Sequence, residues 1–328
     1  MKKKLLALAV AAALPMVSQA ATADVTIYGK IHTSIDFVDP DAGDSIYDVT
    51  SRASRIGFKG SEDLGDGLKL IWKVESQVNT ADGGISGKGA STWTGRNAYI
   101  GLAGGWGTFL YGRHDTPMKM STGKLDIFGD TIADYNHGSQ TGAFGGLVDI
   151  RADDAIAYVS PSFSGLTLVG AVVPDGDYDG DGDFGGGYSV AGMYNNGGLF
   201  LSAAYEQLDD LFGGADANHW RIGGGFDMGG FHIGAVYADQ EDITGNDYLT
   251  VNGSYKFGNN VLKAMWARAD YDTAMLNDNF DTWAIGLDHN FSKRTKMYVI
   301  YADSEINLHT TNPAGEQSGL SFGMVHKF

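Results

Sequence analysis

Three short patterns in this 328-residue sequence have the residue types and spacing of familiar chemistry. Gly319-Leu320-Ser321-Phe322-Gly323 has the G-x-S-x-G form of a nucleophile elbow, in which a strand turns sharply into a helix and presents the serine. The pattern lies instead in a Gly-rich run that alternates apolar and polar residues, a strand signature without the turn into a helix. Gly180-Asp181-Gly182-Asp183-Phe184-Gly185 fits G-x-G-x-x-G, but Asp177, Asp179, Asp181 and Asp183 would repel the pyrophosphate that such a loop exists to hold. The same stretch, Asp177-x-Asp179-x-Asp181-Gly182, has the oxygen spacing that opens an EF-hand loop. Position twelve is Tyr188 rather than a bidentate Glu, so an EF-hand is excluded. Asp177, Asp179 and Asp181 are left as candidates for weak Ca or Mg binding on an exposed loop. The chain has no Cys, and its eight His show no zinc-ligand spacing, so thiol catalysis, Fe–S clusters and the common zinc sites fall away. No residue emerges as catalytic and no cofactor is implied.

Composition narrows the partners. With 43% apolar residues the chain can bury a core, which argues against disorder. A formal charge of −17 repels a phosphate backbone, so nucleic acid is excluded as a partner. Lys2, Lys3 and Lys4, the apolar run from Leu5 to Val17, and Ser18-Gln19-Ala20 have the three parts of a secretory leader. Cleavage after Ala20, or after Ala23 at a second small-x-small site, is expected; the loss of three Lys takes the charge to −20. Residues 21–328 then form one domain. No later stretch is long and apolar enough for a spanning helix, so contact with a membrane would have to be made by strands.

What must position any functional residue in this chain is β-structure. Val25, Ile27, Ile31, Ile35 and Phe37 alternate with Thr26, Tyr28, Lys30, His32, Ser34 and Asp36, a period of two rather than 3.6. Similar alternation recurs at Leu68–Gln77, Leu199–Glu206, Trp220–Asp227, Leu249–Phe257 and Thr282–Phe291. Short Gly/Asn/Asp turns, such as 63–67, 104–107, 195–198 and 228–230, alternate with long polar links at 38–51, 79–94, 114–150, 174–186, 207–218, 239–246, 270–280 and 303–317. Eight long links and about eight short ones predict sixteen antiparallel strands.

A soluble sandwich and a membrane barrel both have period two. The barrel is favoured by aromatic residues near strand ends, where interfacial girdles sit: Tyr28, Phe58, Trp72, Tyr99, Trp106, Trp220, Phe231, Phe257 and Phe291. Charged residues on the polar face of strands also suit an aqueous lumen, and closure removes sheet edges.

The stretches SRIGFKGSEDLGDGLKLIWKVE (54–75), RNAYIGLAGGWGTFLYGR (96–113), DDAIAYVSPSFSGLTL (153–168), LDHNFSKRTKMYVIYAD (287–303) and GMVHKF (323–328) together resemble the general diffusion porins of Gram-negative outer membranes. The resemblance implies an all-β transmembrane antiparallel barrel of sixteen strands in the outer membrane. It further implies a homotrimer in contact with outer-membrane lipid and lipopolysaccharide, and a water-filled path for ions and small hydrophilic solutes. The long third loop, residues 114–150, would fold into the lumen as a constriction.

By the same resemblance Lys30, Arg55, Arg96 and Arg151 would form a basic wall, with Asp126, Asp130 and Asp134 as the acids opposite. Ile127 stands where enteric members of the family carry a key acid, leaving Asp126 as a substitute. Opposed charges across a narrow gap orient water and dipolar solutes while the diameter rejects bulky ones. The net negative charge points to a mild cation preference. Two rival readings are a solute-specific channel or adhesin, marked by saturable binding or surface attachment, and an outer-membrane barrel enzyme, marked by a Ser/His or Asp/His constellation on the outer surface.

Overall fold

The computed structural model describes residues 24–41, 44–81, 85–86, 95–136, 146–174, 186–211, 215–272, 277–305 and 316–328. The expected leader and Asp177, Asp179 and Asp181 lie outside the described residues.

The chain forms a closed antiparallel barrel of sixteen strands. β1 is Asp24–Pro40. β2 comes in two segments, Ile46–Ser51 and Arg55–Gly65, both paired with β1. β3 is Leu68–Val78, and β4 again has two segments, Ile85–Ser86 and Ala98–Gly104, both paired with β3. β5 is Gly107–Asp115, β6 Arg151–Val159, β7 Leu166–Val172 and β8 Gly187–Asn196. β9 is Leu199–Leu211, β10 Ala215–Met228, β11 Phe231–Gln240 and β12 Asn246–Phe257. β13 is Asn260–Asp272, β14 Asn277–Asn290, β15 Thr295–Ser304 and β16 Gln317–Lys327. Two short helices interrupt the strands, α1 (Pro117–Thr122) and α2 (Glu241–Thr244).

Each strand pairs with its sequence neighbour, and β1 pairs with β16 from Lys30↔Lys327 to Pro40↔Gln317, which closes the ring. The Gly29 and Phe328 backbones exchange hydrogen bonds at 3.0 and 3.1 Å, completing the ladder at the turn end. Closure satisfies every strand's pairing groups within the sheet, the condition for strands to stand in lipid. No helix of the described residues is long and apolar enough to cross a membrane.

The outward face is apolar, as the alternation requires: in β1, Val25, Ile27, Ile31, Ile35 and Phe37 are exposed while Lys30, His32, Ser34 and Asp36 are buried. Aromatics mark two levels of the outer wall. Phe231, Tyr255 and Phe257 stack near the short turns, whereas Trp220–Tyr237 and Trp283–Tyr301 pair at 5.3 Å toward the long loops. Two aromatics expected in these girdles face the other way. The Tyr28 hydroxyl donates to inward-facing Glu75, and Tyr99 packs on His114 and the inner Leu110. Both alternate with exposed apolar neighbours, so strand parity overrides their aromatic character.

Several links expected to be long loops are short. β1 runs to Pro40 and β2 resumes at Ile46, and the 239–246 link is a single turn of helix, α2. Among the tight turns, Gly197 and Gly198 have φ of 58° and 88°, the left-handed pair that a two-residue hairpin demands. A Cβ on Gly198 would lie 2.4 Å from the Asp227 carbonyl oxygen.

Candidate constriction site

Consecutive strands each bring one charged side chain to the same region of the inner wall. Lys30 in β1 lies directly opposite Arg55 in β2. Two like charges in register repel, and the conflict is resolved from outside the sheet: Asp130, in the segment between β5 and β6, pairs with Lys30 and accepts from Arg55 Nη2 at 3.4 Å. Glu75 in β3 accepts from Arg96 Nε at 2.5 Å, lies 4.0 Å from Arg55 Nη1 and 3.4 Å from Lys73 Nζ. At the end of β5, Asp115 accepts from Asn97 at 2.8 Å and pairs with Arg151 Nε at 2.8 Å. The four basic positions expected from the sequence therefore stand on one wall, interleaved with Glu75 and Asp115. Neither acid was among the expected site residues, although Glu75 falls on the polar side of its strand by simple alternation.

The segment that carries Asp130 is held against the opposite inner wall. α1 begins at Thr116, whose hydroxyl accepts the Lys119 N–H at 3.3 Å, and Pro117 opens the helix where its missing N–H costs nothing. Met118 packs on Ala191 and Ala204 of β8 and β9. Leu125, Tyr135 and Leu147 pack on Phe200, Val236, Tyr248 and Phe280, which belong to β9, β11, β12 and β14. Phe128, Ile132 and Ala133 pack on Met265, Ala284, Tyr298, Ile300 and Val325 from β13 to β16. Polar latches reinforce these patches. Arg221 Nη1 donates to Asp149 at 2.7 Å and Thr122 at 2.9 Å, and its Nη2 donates to the Val148 carbonyl at 2.7 Å. Asn252 donates to the Leu125 carbonyl at 2.8 Å, and Lys263 to the Ile127 carbonyl at 3.1 Å. Since Arg221 alternates with the exposed Trp220 and Ile222, these contacts are made on the inner face.

Three acids spaced four apart perform three different tasks. Asp126 accepts the Phe128 N–H at 3.0 Å and closes a local turn. Asp134 accepts the Asn136 N–H at 2.8 Å and the Asp130 N–H at 2.7 Å. The second bond holds Asp130 at φ 60°, a left-handed conformation that Asp tolerates, and so aims its carboxylate at the wall. Asp130, rather than Asp126, is thus the acid that meets Lys30 and Arg55; Asp126 makes no direct ion pair among the described residues, though the charge of Lys263 lies within its reach. Their protonation follows. Burial opposes ionisation of Asp130, but Lys30 and Arg55 outweigh it and draw the carboxyl down to about 2. Burial pushes Asp134 up to about 6 and, with the charge of Asp134 beside it, raises Asp126 well above the usual carboxylate range.

Between wall and segment lies a polar space of about 330 Å³, bordered by Arg96, Asp115 and Arg151 of the barrel wall and by Lys119, Asp126, Asp130, Asp134 and Asp149 of the segment. Two larger depressions lie on the lipid-facing surface and are almost entirely apolar. No group of three or more metal-ligating His or carboxylate side chains occurs among the described residues.

The barrel agrees with the fold of similar proteins. A family model described as Gram-negative porin matches residues 7–307. The major outer membrane protein P.IB of Neisseria meningitidis serogroup B is 32% identical, over 91% of this chain and 92% of its own length. Among solved structures, an anion-selective porin from Comamonas acidovorans superimposes with a TM-score of 0.76 at 24% identity, covering 93% of this chain and all of that one. A trimer form of OmpT from Vibrio cholerae gives a TM-score of 0.64 at 17% identity, covering 93% of this chain and 99% of its own.

Proposed function

This chain belongs to the Gram-negative porins, and from that membership we propose that its lumen is a passive, water-filled channel narrowed where Asp130 meets Lys30 and Arg55. The observation that carries the reading is the polar space of about 330 Å³ in which Arg96, Asp115 and Arg151 of the barrel wall face Lys119, Asp126, Asp130, Asp134 and Asp149 of the segment. Such a gap needs no covalent step: fixed opposite charges orient water and polar solutes, and the narrow section limits size.

The sign of ion preference does not follow from the local balance. Lys30, Arg55, Lys73, Arg96, Lys119, Arg151 and Arg221 face Glu75, Asp115, Asp126, Asp130, Asp134 and Asp149, so the two signs nearly balance at the constriction. With the constriction nearly balanced, the formal charge of −17 over the whole chain is what supports a mild cation preference at neutral pH. The anion selectivity stated for the Comamonas porin would not carry over. A homotrimer in contact with lipid and lipopolysaccharide is the assembly we expect, supported by the trimeric OmpT neighbour. The channel requires neither a cofactor nor a catalytic residue.

Reconstitution in a planar bilayer tests this reading. Ohmic steps in groups of three, unsaturated by sugars, with a reversal potential of cation sign in a KCl gradient, are expected. A saturable sugar current would favour a solute-specific channel, and an anion-signed potential would overturn the charge argument.

A further inference from the structure

We propose that the outer wall from β10 to β13 seats one anionic glycerophospholipid, with an acyl chain in the apolar groove over Gly253 and Ala264 and the phosphate among Lys256, Lys293 and Arg294. The inference concerns the lipid-facing surface and does not depend on what the lumen passes. The groove, one of the two depressions on that surface, has a volume of about 620 Å³. Gly253 and Ala264 lie opposite each other on β12 and β13 and form its floor, while Met228, Ile233, Val251 and Trp266 stand around them. A depression in a wall that stands in hydrocarbon is filled by a chain, because a void forfeits dispersion contacts and water would find almost no polar partner there. Shape alone does not choose between lipids; charge does. On the turn side the groove ends at the stack of Phe231 on Tyr255, with ring centroids 4.3 Å apart, continued by Phe257 at 6.0 Å. Such aromatic levels mark the membrane interface, and just beyond this one are three exposed cations. Lys256 follows Gly253 by three residues, about 10 Å along the strand. Its N–H donates to the Gly230 carbonyl at 2.9 Å, which ties it to the turn bordering the groove. Lys293 and Arg294 belong to the β14–β15 turn. The Asn290 N–H and Nδ2 donate to the Asn259 carbonyl at 2.8 and 3.0 Å and bind that turn against the one after Phe257. None of the three cations pairs with an acid among the described residues, and the acids of the adjoining strands are engaged, Asp288 by Lys263 and Lys296 and Asp227 by His232. The patch is local: the turns at 104–107, 160–165 and 195–198 carry no charge, and the β2–β3 turn exposes Asp63 and Asp66. Lys and Arg at an interface bury their stems and reach the headgroups, and clusters of them recruit anionic lipid. A zwitterionic headgroup brings its own ammonium and gains less.

The test is native mass spectrometry of the full protein, folded in detergent and exposed to equal amounts of phosphatidylglycerol and phosphatidylethanolamine with the same acyl chains. The barrel should keep one phosphatidylglycerol about tenfold more often than one phosphatidylethanolamine, the scale of one or two basic contacts. Lys293→Gln combined with Arg294→Gln should bring that ratio toward one. Ala264→Phe, which fills the groove from an exposed position, should lower retention of both lipids. Equal retention by the wild-type protein, or an undiminished ratio in the double variant, would overturn the phosphate site. Displacement of the lipid by free glycerol phosphate, or full retention in Ala264→Phe, would overturn the groove. Loss of the lipid when wild-type chains assemble into a trimer would give this face to a second copy of the chain and overturn the proposal as well. The wild-type ratio needs no substitution, so it decides the matter even where a variant does not fold, and neither the size nor the sign of the conductance bears on it.

Discussion

The inner wall of the barrel has two halves that obey the same strand period and do opposite things. From β1 to β6 it presents Lys30, Arg55, Glu75, Arg96, Asp115 and Arg151, which pair with one another and with a single acid of the inserted segment. From β9 to β16 it carries apolar patches among polar residues such as Glu206, Arg221, Asn252 and Lys263, and in those patches Val236, Ala238, Ile300 and Ala302 are at most 1% exposed and cluster with the segment. Apolar patches in an aqueous channel are costly unless something dry lies on them. The contrast shows that the inserted segment is seated by ordinary hydrophobic packing on one half and that its charge is thereby presented to the other. One half holds the segment, and the other is the half we propose to meet the solute.

That division of labour can be broken at its ends. The strongest effect is expected on the covered half. Phe128→Ala removes a fully buried ring from the patch of Met265, Tyr298 and Ile300, at a cost of about 3–5 kcal/mol to the seating of the segment. Single-channel conductance should rise and become noisier, and limited proteolysis should cut the segment, while the barrel remains folded. Unchanged conductance would mean that this patch does not hold it. Arg221→Met leaves Asp149 buried with only Lys119 nearby, again costing about 3–5 kcal/mol. The double variant with Asp149→Asn should recover much of that loss in thermal unfolding, because the uncompensated charge goes with it.

On the open half the effects on stability shrink and those on selectivity remain. Arg55→Ala should cost about 1 kcal/mol or less, since the pair with Asp130 is partly exposed, yet move the reversal potential further toward cations. The smallest effect is a titration. With its carboxyl raised to about 6, Asp134 takes up a proton as pH falls through that value, removing negative charge from the constriction. Cation preference should therefore weaken between pH 7 and pH 5, without a matching step from Asp130, which stays ionised down to about 2. The stability linkage runs the same way: the raised value favours the folded form at acid pH, and that contribution is lost as pH rises through about 6. Asp134→Asn should abolish the step, and its persistence in that variant would assign it to another group.

Much of this was legible in the residues. Alternation places Lys30, Arg55, Glu75 and Arg221 on the inner face, and it does so reliably because side chains on a strand have no other choice than two faces. Tyr28 and Tyr99 show the limit of composition beside periodicity: as aromatics near strand ends they suggested girdles, whereas their parity turns them inward. Alternation could not show that parts of the inner face from β9 to β16 are covered by the segment, since small residues such as Ala238 and Ala302 read as neutral on either face. Nor could it separate the three acids of the segment. Asp126, Asp130 and Asp134 share a composition and a spacing, and only the path of the backbone, fixed by packing some distance along the chain, decides that Asp130 reaches the wall.

The sequence by itself determined which side chains face lipid and which face the lumen, because strand geometry is local and repeats every two residues. The tertiary structure alone decided which charges meet across the lumen and which are left unspent. Those contacts join residues as far apart as Lys30 and Asp130, and depend on how a long segment is packed rather than on any pattern within it.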